Sequence, residues 1–293
     1  RFFDDRLKYL SFIQNTSEKR AISEQLAPHI ASMEQNRTFL RVLDAGTGDG
    51  TVKSNVIKTF HKYHPYTSLL ITGKEISYED LKNTLEKMPD RFVEHPNLLV
   101  TMTNVKFAEL GHIESSNKIK GKNVKSYTLV LKDDNSFDFH AQINKLNSFI
   151  KKNWGIEIDN KSRTSYANPC IIRIYREDHK RYIEPFIDND YKNNNYDLII
   201  ASQAYRAASE VRTKVNNVIA PLMRLLNKSG KLLVTHSCGG DTVEKILKVA
   251  WKDKNPFPNK AKDIIEFLKN NPVGENNKYV YSKPKPYTFN FKR

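Results

Sequence analysis

Seven consecutive residues, Asp44-Ala45-Gly46-Thr47-Gly48-Asp49-Gly50, follow the apolar run Phe39–Leu43 and precede a helical stretch that starts near Val52. Glycine at three alternate positions lets a backbone turn sharply, and lets a ligand approach with no Cβ in the way. A helix that starts just beyond such a turn aims its first N–H groups at that ligand. Glu75 ends the next apolar run, twenty-five residues after Gly50. A carboxylate there sits beside the turn and can accept both ribose hydroxyls of an adenosine. The plain alternative is a tight turn with an exposed Glu nearby. Dinucleotide sites use Gly-x-Gly-x-x-Gly; here Thr51 stands where the third glycine belongs. Asp44 opens the turn, and an acid at that place suits a ligand with an ammonium and a sulfonium better than a pyrophosphate.

The elements that must hold these residues alternate. Phe39–Asp44, Ser68–Glu75 and Leu98–Met102 read as strands, with helices at Val52–Tyr63 and about Tyr78–Lys87 between them. Tyr196–Ala201 and Lys231–His236 read as a fourth and fifth strand around a helix at Ala207–Leu226, in which Pro221 marks a kink or break. Strands alternating with helices predict an α/β fold: a doubly wound, mostly parallel sheet of the seven-stranded type. Residues 1–38 read as a helical segment, with Leu7, Leu10, Ile13 and then Ile22, Leu26 and Ile30 at helical spacing. The core is expected at 39–110 and 196–293. Residues 111–195 interrupt it with strands at Tyr127–Leu131 and Cys170–Tyr175 and a helix at Phe139–Lys152, read as an inserted α+β lid or substrate sub-domain. Asp241–Trp251 and Lys260–Lys269 read as helices, and Lys278–Tyr281 with Tyr287–Phe291 as a terminal β-hairpin.

Composition narrows the function classes. The chain has 293 residues, a 39% hydrophobic share and a net charge of +15. No run approaches the ~20 apolar residues of a membrane span. Basic residues such as Lys118, Lys120, Lys122 and Lys125 are countered by Asp133, Asp134 and Asp138, so the charge is spread rather than blocked. A nucleic-acid or protein substrate is therefore a lesser expectation than a small molecule. Cys170 and Cys238 are too few for a disulfide framework, so both are expected in strands as small apolar fillers, in a protein of the cytoplasm. Asp4 and Asp5 stand where a signal peptide would carry basic residues; the first residue is Arg1 rather than Met, so targeting residues can precede it. His61 and His64 lie at i, i+3, but no further ligand pair is near and no metal is expected. Trp154 and Trp251 are expected to be packing anchors.

Val42-Leu43-Asp44-Ala45-Gly46-Thr47-Gly48-Asp49-Gly50 resembles the first motif of class I S-adenosylmethionine-dependent methyltransferases, and Glu75 matches their ribose-binding acid. Asn104 after the third strand and Ser202-Gln203 after the fourth extend the resemblance less specifically. It implies that Asp44, Gly46, Thr47, Gly48, Asp49 and Gly50 hold the methionine portion of S-adenosylmethionine and Glu75 the ribose. Ile76 and the Asn104 region would hold the adenine, with Ser202 also at the cofactor. The stretch Tyr9-Leu10-Ser11-Phe12-Ile13-Gln14-Asn15-Thr16-Ser17-Glu18 is loosely similar to the leading segment of histamine N-methyltransferase, which places Glu18 and Gln203 in an amine pocket. The long insertion departs from that enzyme, so a shared fold is a better expectation than a shared substrate.

Methyl transfer from a sulfonium is an in-line displacement whose leaving group becomes neutral, so positioning and exclusion of water supply most of the acceleration. Glu18, Gln203 and His236 are the candidates for a catalytic role, and Glu18, Gln203 and Tyr205 for binding substrate. Each has a bland alternative: Glu18 as a solvated Glu at a helix start, Gln203 as a loop residue, Tyr205 as packing, His236 as an ordinary strand-end histidine. The expected activity is methyl transfer to nitrogen of a small amine or amino-acid-like metabolite. A methyltransferase of RNA or protein docking on a basic insertion is the alternative, and a non-catalytic adenosine binder or a dehydrogenase the third reading.

Overall fold

The computed structural model describes residues 16–34, 36–113, 117–158, 164–186, 195–240, 244, 249, 255, 257–274 and 279–287. The first helix expected around Leu7, Leu10 and Ile13, and nearly all of the helix expected at 241–251 including Trp251, lie outside these residues.

Chain order begins α1 (Glu18–Ala31), β1 (Phe39–Ala45), α2 (Thr51–Tyr63), β2 (Ser68–Lys74), α3 (Tyr78–Glu86), α4 (Pro89–Glu94) and β3 (Leu98–Thr103). A 3-10 turn (Phe107–His112) leads to the short pair β4 (Lys118–Ile119) and β5 (Lys122–Asn123). Then come β6 (Lys125–Leu131), α5 (Ser136–Asn144), α6 (Leu146–Asn153), β7 (Ile156–Ile158), β8 (Thr164–Tyr166), β9 (Cys170–Arg176) and α7 (Lys180–Ile183). β10 (Tyr196–Ser202) precedes α8 (Val211–Lys214), a π-helical turn (Val215–Ile219), α9 (Ala220–Met223), β11 (Leu226–Thr235) and α10 (Ala261–Asn270).

Seven strands form one sheet in the order β11-β10-β1-β2-β3-β9-β6. β11, β10, β1, β2 and β3 are all parallel. β9 runs antiparallel to β3, and β6 parallel to β9. This is the mostly parallel α/β sheet that the alternation predicted. Chain order reverses between β1 and β10, which is where such sheets open a crevice at their carboxyl ends.

The period-2 alternation of each strand separates two faces. Leu40 and Val42 of β1, Ile71 of β2 and Val100 of β3 pack under α1 to α6 with Ile22, Leu26, Val56, Phe60, Phe92 and Phe139. Leu43, Ile199 and Ala201 belong to the opposite core, with Leu110 and the helix residues Val218 and Leu222. Ile22, Leu26 and Ile30 are the buried stripe of α1, as their spacing predicted.

Several expectations change. The segment 111–195 is not a lid set apart from the sheet: its β6 and β9 are the sheet's outer strands beside β3, and Phe139, Ile143, Leu146 and Ile150 of α5 and α6 join the main core. The sequence marks the strands of this segment, but spacing does not reveal their partners. The helix expected at Phe139–Lys152 is two helices divided at Lys145. The helix expected to start at Ala207 starts at Val211, and the residues ahead of Pro221 relax into a π-helical turn, since proline has no N–H to give the ladder. Residues 279–287 contain no strand, and the rest of the expected hairpin lies outside the described residues. Cys170 is buried in β9 as expected, but Cys238 is exposed beyond the end of β11. Trp154 is a core anchor, 3% exposed. Among the described residues no helix is long and apolar enough to cross a membrane.

Behind β3, His95 is fully buried, with Nε2 3.1 Å from the Thr67 carbonyl and Nδ1 3.2 Å from Nδ1 of His61. A carbonyl can only accept, so neutral His95 carries its proton on Nε2 and takes the His61 N–H on Nδ1. Burial, then the His61 charge, pushes His95 down from 6.5 to about 4. The unfolded chain therefore takes up this proton first as pH falls. Stability should be full above pH 6.5 and decline towards pH 4 by about 3 kcal/mol. The urea midpoint of His95→Gln should vary less over this range than that of the native chain; an equal acid slope in both would exclude His95 as its source.

Candidate functional site

The turn after β1 is left-handed at each glycine: φ is +98° at Gly46, +58° at Gly48 and +77° at Gly50. These angles are strained for residues with a Cβ. At Gly50 space forbids one as well, since it would fall 2.7 Å from the Thr84 Cα on α3. At Gly48 the nearest atom to such a Cβ is the Lys19 Nζ at 3.6 Å, so that side of the turn is open.

The amides of the turn are largely used within the fold. Gly46 and Thr47 donate to the Lys74 carbonyl at 3.1 and 3.0 Å. Gly48 donates to Glu75 Oε2 at 2.8 Å, and Gly50 to the Thr47 carbonyl at 3.3 Å. Thr51 N–H, at the start of α2, is met by the carboxylate of Asp49 at 3.2 Å. The expected display of free N–H groups is thus not what this turn offers at these positions. The Thr84 hydroxyl donates to the Gly48 carbonyl at 3.0 Å and Lys87 to the Asp49 carbonyl at 2.7 Å, so α3 clamps the outer side.

What the turn leaves unmatched is an acceptor. Asp44 is 1% exposed at the end of β1, and neither carboxylate oxygen meets a donor at bonding geometry. The Thr47 hydroxyl, which donates to Asp44's own carbonyl at 3.3 Å, is close enough only to lower the acid slightly. Burial pushes Asp44 up to about 6 against the pull of Lys53 and Lys19. Lys53, on α2, is fully buried, and its ammonium donates to the Met102 thioether at 3.1 Å. Burial brings it down to about 8, partly offset by Asp44. Its Nζ fits because Gly73 of β2 has no side chain; a Cβ there would lie 2.5 Å away. A buried carboxylate and ammonium close enough to feel each other, yet not joined as an ion pair within 4.0 Å, are costly to hold in a fold.

Glu75 does face the glycine turn. Oε2 accepts from Gly48, and Oε1 accepts from Ile76 and Ser77, each at 2.8 Å. A carboxylate has about four acceptor positions, so a ribose diol must share the remaining one or displace the Gly48 amide. Ile76 is half-buried beside it. At Asn104, expected near the adenine, the amide donates to the Asn168 carbonyl at 2.9 Å and the oxygen accepts from Cys170 N–H at 2.8 Å, so its side chain fastens β9 to the end of β3. Asp49 is held by Lys19 at 3.8 Å and Lys87 at 3.9 Å and by the Thr51 hydroxyl at 2.6 Å. Although burial raises it, these partners keep it below the ordinary carboxylate value.

β10 supplies the other wall. A Cβ on Gly46 would lie 3.6 Å from the Ala204 Cα and 4.0 Å from the Ser202 carbonyl, which sets Ser202 and the 203–205 loop against the turn. Gln203 is left-handed at φ +52°, with its N–H on the Thr235 hydroxyl at 3.0 Å and its side-chain amide donating to Glu18 Oε1. Glu18 is 5% exposed at the start of α1, so it is no solvated Glu, and the structure brings together the two residues that sequence set 185 positions apart. Tyr205 and His236 also meet, with ring centroids 5.9 Å apart. Lys19, Lys53, Thr84 and Lys87 were not singled out from sequence. Only Lys53 left a signal there: it stands in line with Val56, Ile57 and Phe60 on the apolar face of α2.

Because the folded chain prefers neutral Asp44, its stability should fall as pH rises from about 4 through 6 by up to about 3 kcal/mol, and stay lowered above that. Asp44→Asn should remove this fall, raising the unfolding midpoint of the ligand-free protein at pH 8 relative to the native chain; a lower midpoint at pH 8 would contradict a strained carboxylate.

No family model matches the chain, and no curated protein matches it, so the likeness to histamine N-methyltransferase gains no support from these comparisons. Among solved structures, MNMC2 from Aquifex aeolicus aligns with 89% of this chain at 10% identity and a TM-score of 0.25. The alignment covers 64% of that protein's own chain, and at this level of likeness no residue or activity is carried from one to the other.

Proposed function

We propose that this chain is an S-adenosylmethionine-dependent methyltransferase acting on nitrogen of a small amine or amino-acid-like metabolite. The observation that carries the reading is the Asp44 carboxylate, buried without a hydrogen-bond donor at the end of β1 beside a turn open above Gly48. Such a group demands a cationic donor. The amides of Gly46, Thr47, Gly48, Gly50 and Thr51 are already bonded within the fold, which favours a ligand with an ammonium over a dinucleotide.

When bound, S-adenosylmethionine supplies a methyl group on a positively charged sulfur. Asp44 would receive the ligand's ammonium, and Glu75 a ribose hydroxyl at its remaining acceptor position. Gly46 and Gly48 keep the floor free of side chains, and Ser202 bounds the turn on the β10 side. Glu18 and Gln203, joined across α1 and β10, form a polar wall at the same end of the sheet. An amine acceptor must react unprotonated, and a carboxylate beside it raises its pKa. Glu18 therefore serves recognition of the cation, while Gln203 holds that carboxylate in place.

Gly48→Val puts a branched side chain into the open side of the turn. Calorimetry should show S-adenosylmethionine affinity reduced by at least about a hundredfold, while unfolding stays cooperative despite a backbone strain of roughly 1–2 kcal/mol; undiminished affinity would defeat the assignment. Tritium-labelled methyl transfer screened across amines, peptides and RNA would identify the acceptor class. Glu18→Gln should reduce transfer to an amine about tenfold with cofactor affinity unchanged, whereas equal loss of both would place Glu18 at the cofactor instead.

A further inference from the structure

Beyond the turn, the carboxyl ends of β10 and β11 carry a second pair of unmatched polar atoms. His236 directly follows β11, and Tyr205 lies three residues past β10. Nδ1 of His236 and the hydroxyl of Tyr205 are both covered, and neither has a hydrogen-bond partner. The two rings stand 5.9 Å apart between centroids, and leaving both atoms unmatched is unfavourable unless a polar group completes them.

The surrounding bonds fix which atom does what. His236 Nε2 lies 2.8 Å from the Asn259 carbonyl, and Asn259 donates its own amide to the Ser209 carbonyl at 2.8 Å. Since a carbonyl only accepts, neutral His236 must carry its proton on Nε2, and Nδ1 presents a lone pair. Lys214 of α8 is fully buried; its ammonium donates to the Ala207 carbonyl at 2.6 Å and lies 5.5 Å from the Tyr205 ring. It orders the loop that carries Tyr205 and disfavours a charged His236. Asp263 of α10 and the Asn259 carbonyl act the other way. Burial is the largest influence, and the ring is held below its ordinary value, so it is neutral at pH 7.

We propose that His236 Nδ1 is the proton acceptor for the methyl acceptor's nucleophile, and that the Tyr205 hydroxyl oxygen accepts a second N–H of the same amine. This rests on the methyl-transfer reading above. The acceptor's lone pair forms the new bond to the methyl carbon as the carbon–sulfur bond breaks, and that electron pair stays on sulfur. The acceptor's proton passes to Nδ1, giving an imidazolium whose Nε2–H remains on the Asn259 carbonyl, and the proton then leaves to solvent. The pair thus specifies a nucleophile that keeps its lone pair for the methyl carbon and donates to both His236 and Tyr205: a primary amine, not a thioether or a tertiary amine.

Two experiments on the full chain test this. Nitrogen-15 NMR of histidine-labelled protein at pH 7.5 should show His236 as the Nε2–H tautomer, titrating below 6.5. Observation of the Nδ1–H tautomer, or an ordinary titration, would overturn the assignment without any acceptor being known. Tritium transfer to ethanolamine, tyramine, histamine and glycine is then compared in the native chain, His236→Gln and Tyr205→Phe, with S-adenosylmethionine affinity measured by calorimetry. The expected result is a kcat lowered on the order of a hundredfold in His236→Gln, loss of the native rate's decline below pH 6.5, and unchanged cofactor affinity. Tyr205→Phe should raise KM about tenfold with a smaller change in kcat. A native kcat and acid limb in His236→Gln would refute the base. Cofactor binding without transfer to any of the four would remove the small-acceptor reading and this proposal together, and no cofactor binding at all would remove the methyl-transfer reading itself.

Discussion

Glu75 reaches from the end of β2 to the turn after β1 and accepts three backbone N–H groups, from Gly48, Ile76 and Ser77. That carboxylate ties two neighbouring parallel strands together at their carboxyl ends and holds Gly48, the middle of three left-handed glycines, while the Lys74 and Thr47 carbonyls hold Gly46 and Gly50. The rest of the site depends on this. With the turn fixed, Asp44 has nowhere to swing, and α3 can close on Gly50 until Thr84 leaves no room for a Cβ. Amides already matched within the protein compete less for an anion, while an unmatched carboxylate competes strongly for a cation.

Function and stability pull apart at this point. Asp44 and Lys53 are both desolvated, each pushed towards its neutral form, and neither fully relieves the other. A fold chosen for stability alone would replace such a pair with apolar residues of similar volume. Stability margins of 5–15 kcal/mol tolerate a few such sites, and these tend to be binding sites. The unmatched Tyr205 hydroxyl and His236 Nδ1 follow the same logic at the neighbouring strand ends.

The outer strands show a different use of polar contacts. Asn104, at the end of β3, bonds to Asn168 and to Cys170 N–H, and so fixes where β9 begins its antiparallel run. β9 in turn takes β6 alongside it. What looks like an interruption between the third and fourth parallel strands thereby completes the sheet, and its helices cover the same core face as α2 and α3. This extends the hydrophobic core and moves the sheet's edge away from the strands that carry the turn.

The sequence by itself determined the alternation of strands and helices, the buried stripe of α1, and the glycine turn with an acid before it and another closing the next strand. These are local properties: hydrophobic period and glycine spacing are set by neighbours along the chain. Tertiary structure decided what each polar group does. Asn104, expected near the adenine, spends its side-chain amide on fastening β9 to β3; Asp49 is clamped by Lys19 of α1 and by Lys87, just past α3. Lys53, which sequence marks only by its place on the apolar face of α2, lies buried near Asp44; Glu18 and Gln203 touch although 185 residues separate them. Whether a carboxylate is matched or unmatched depends on donors brought from distant segments, and on how much water they exclude. No spacing rule along one chain records either quantity.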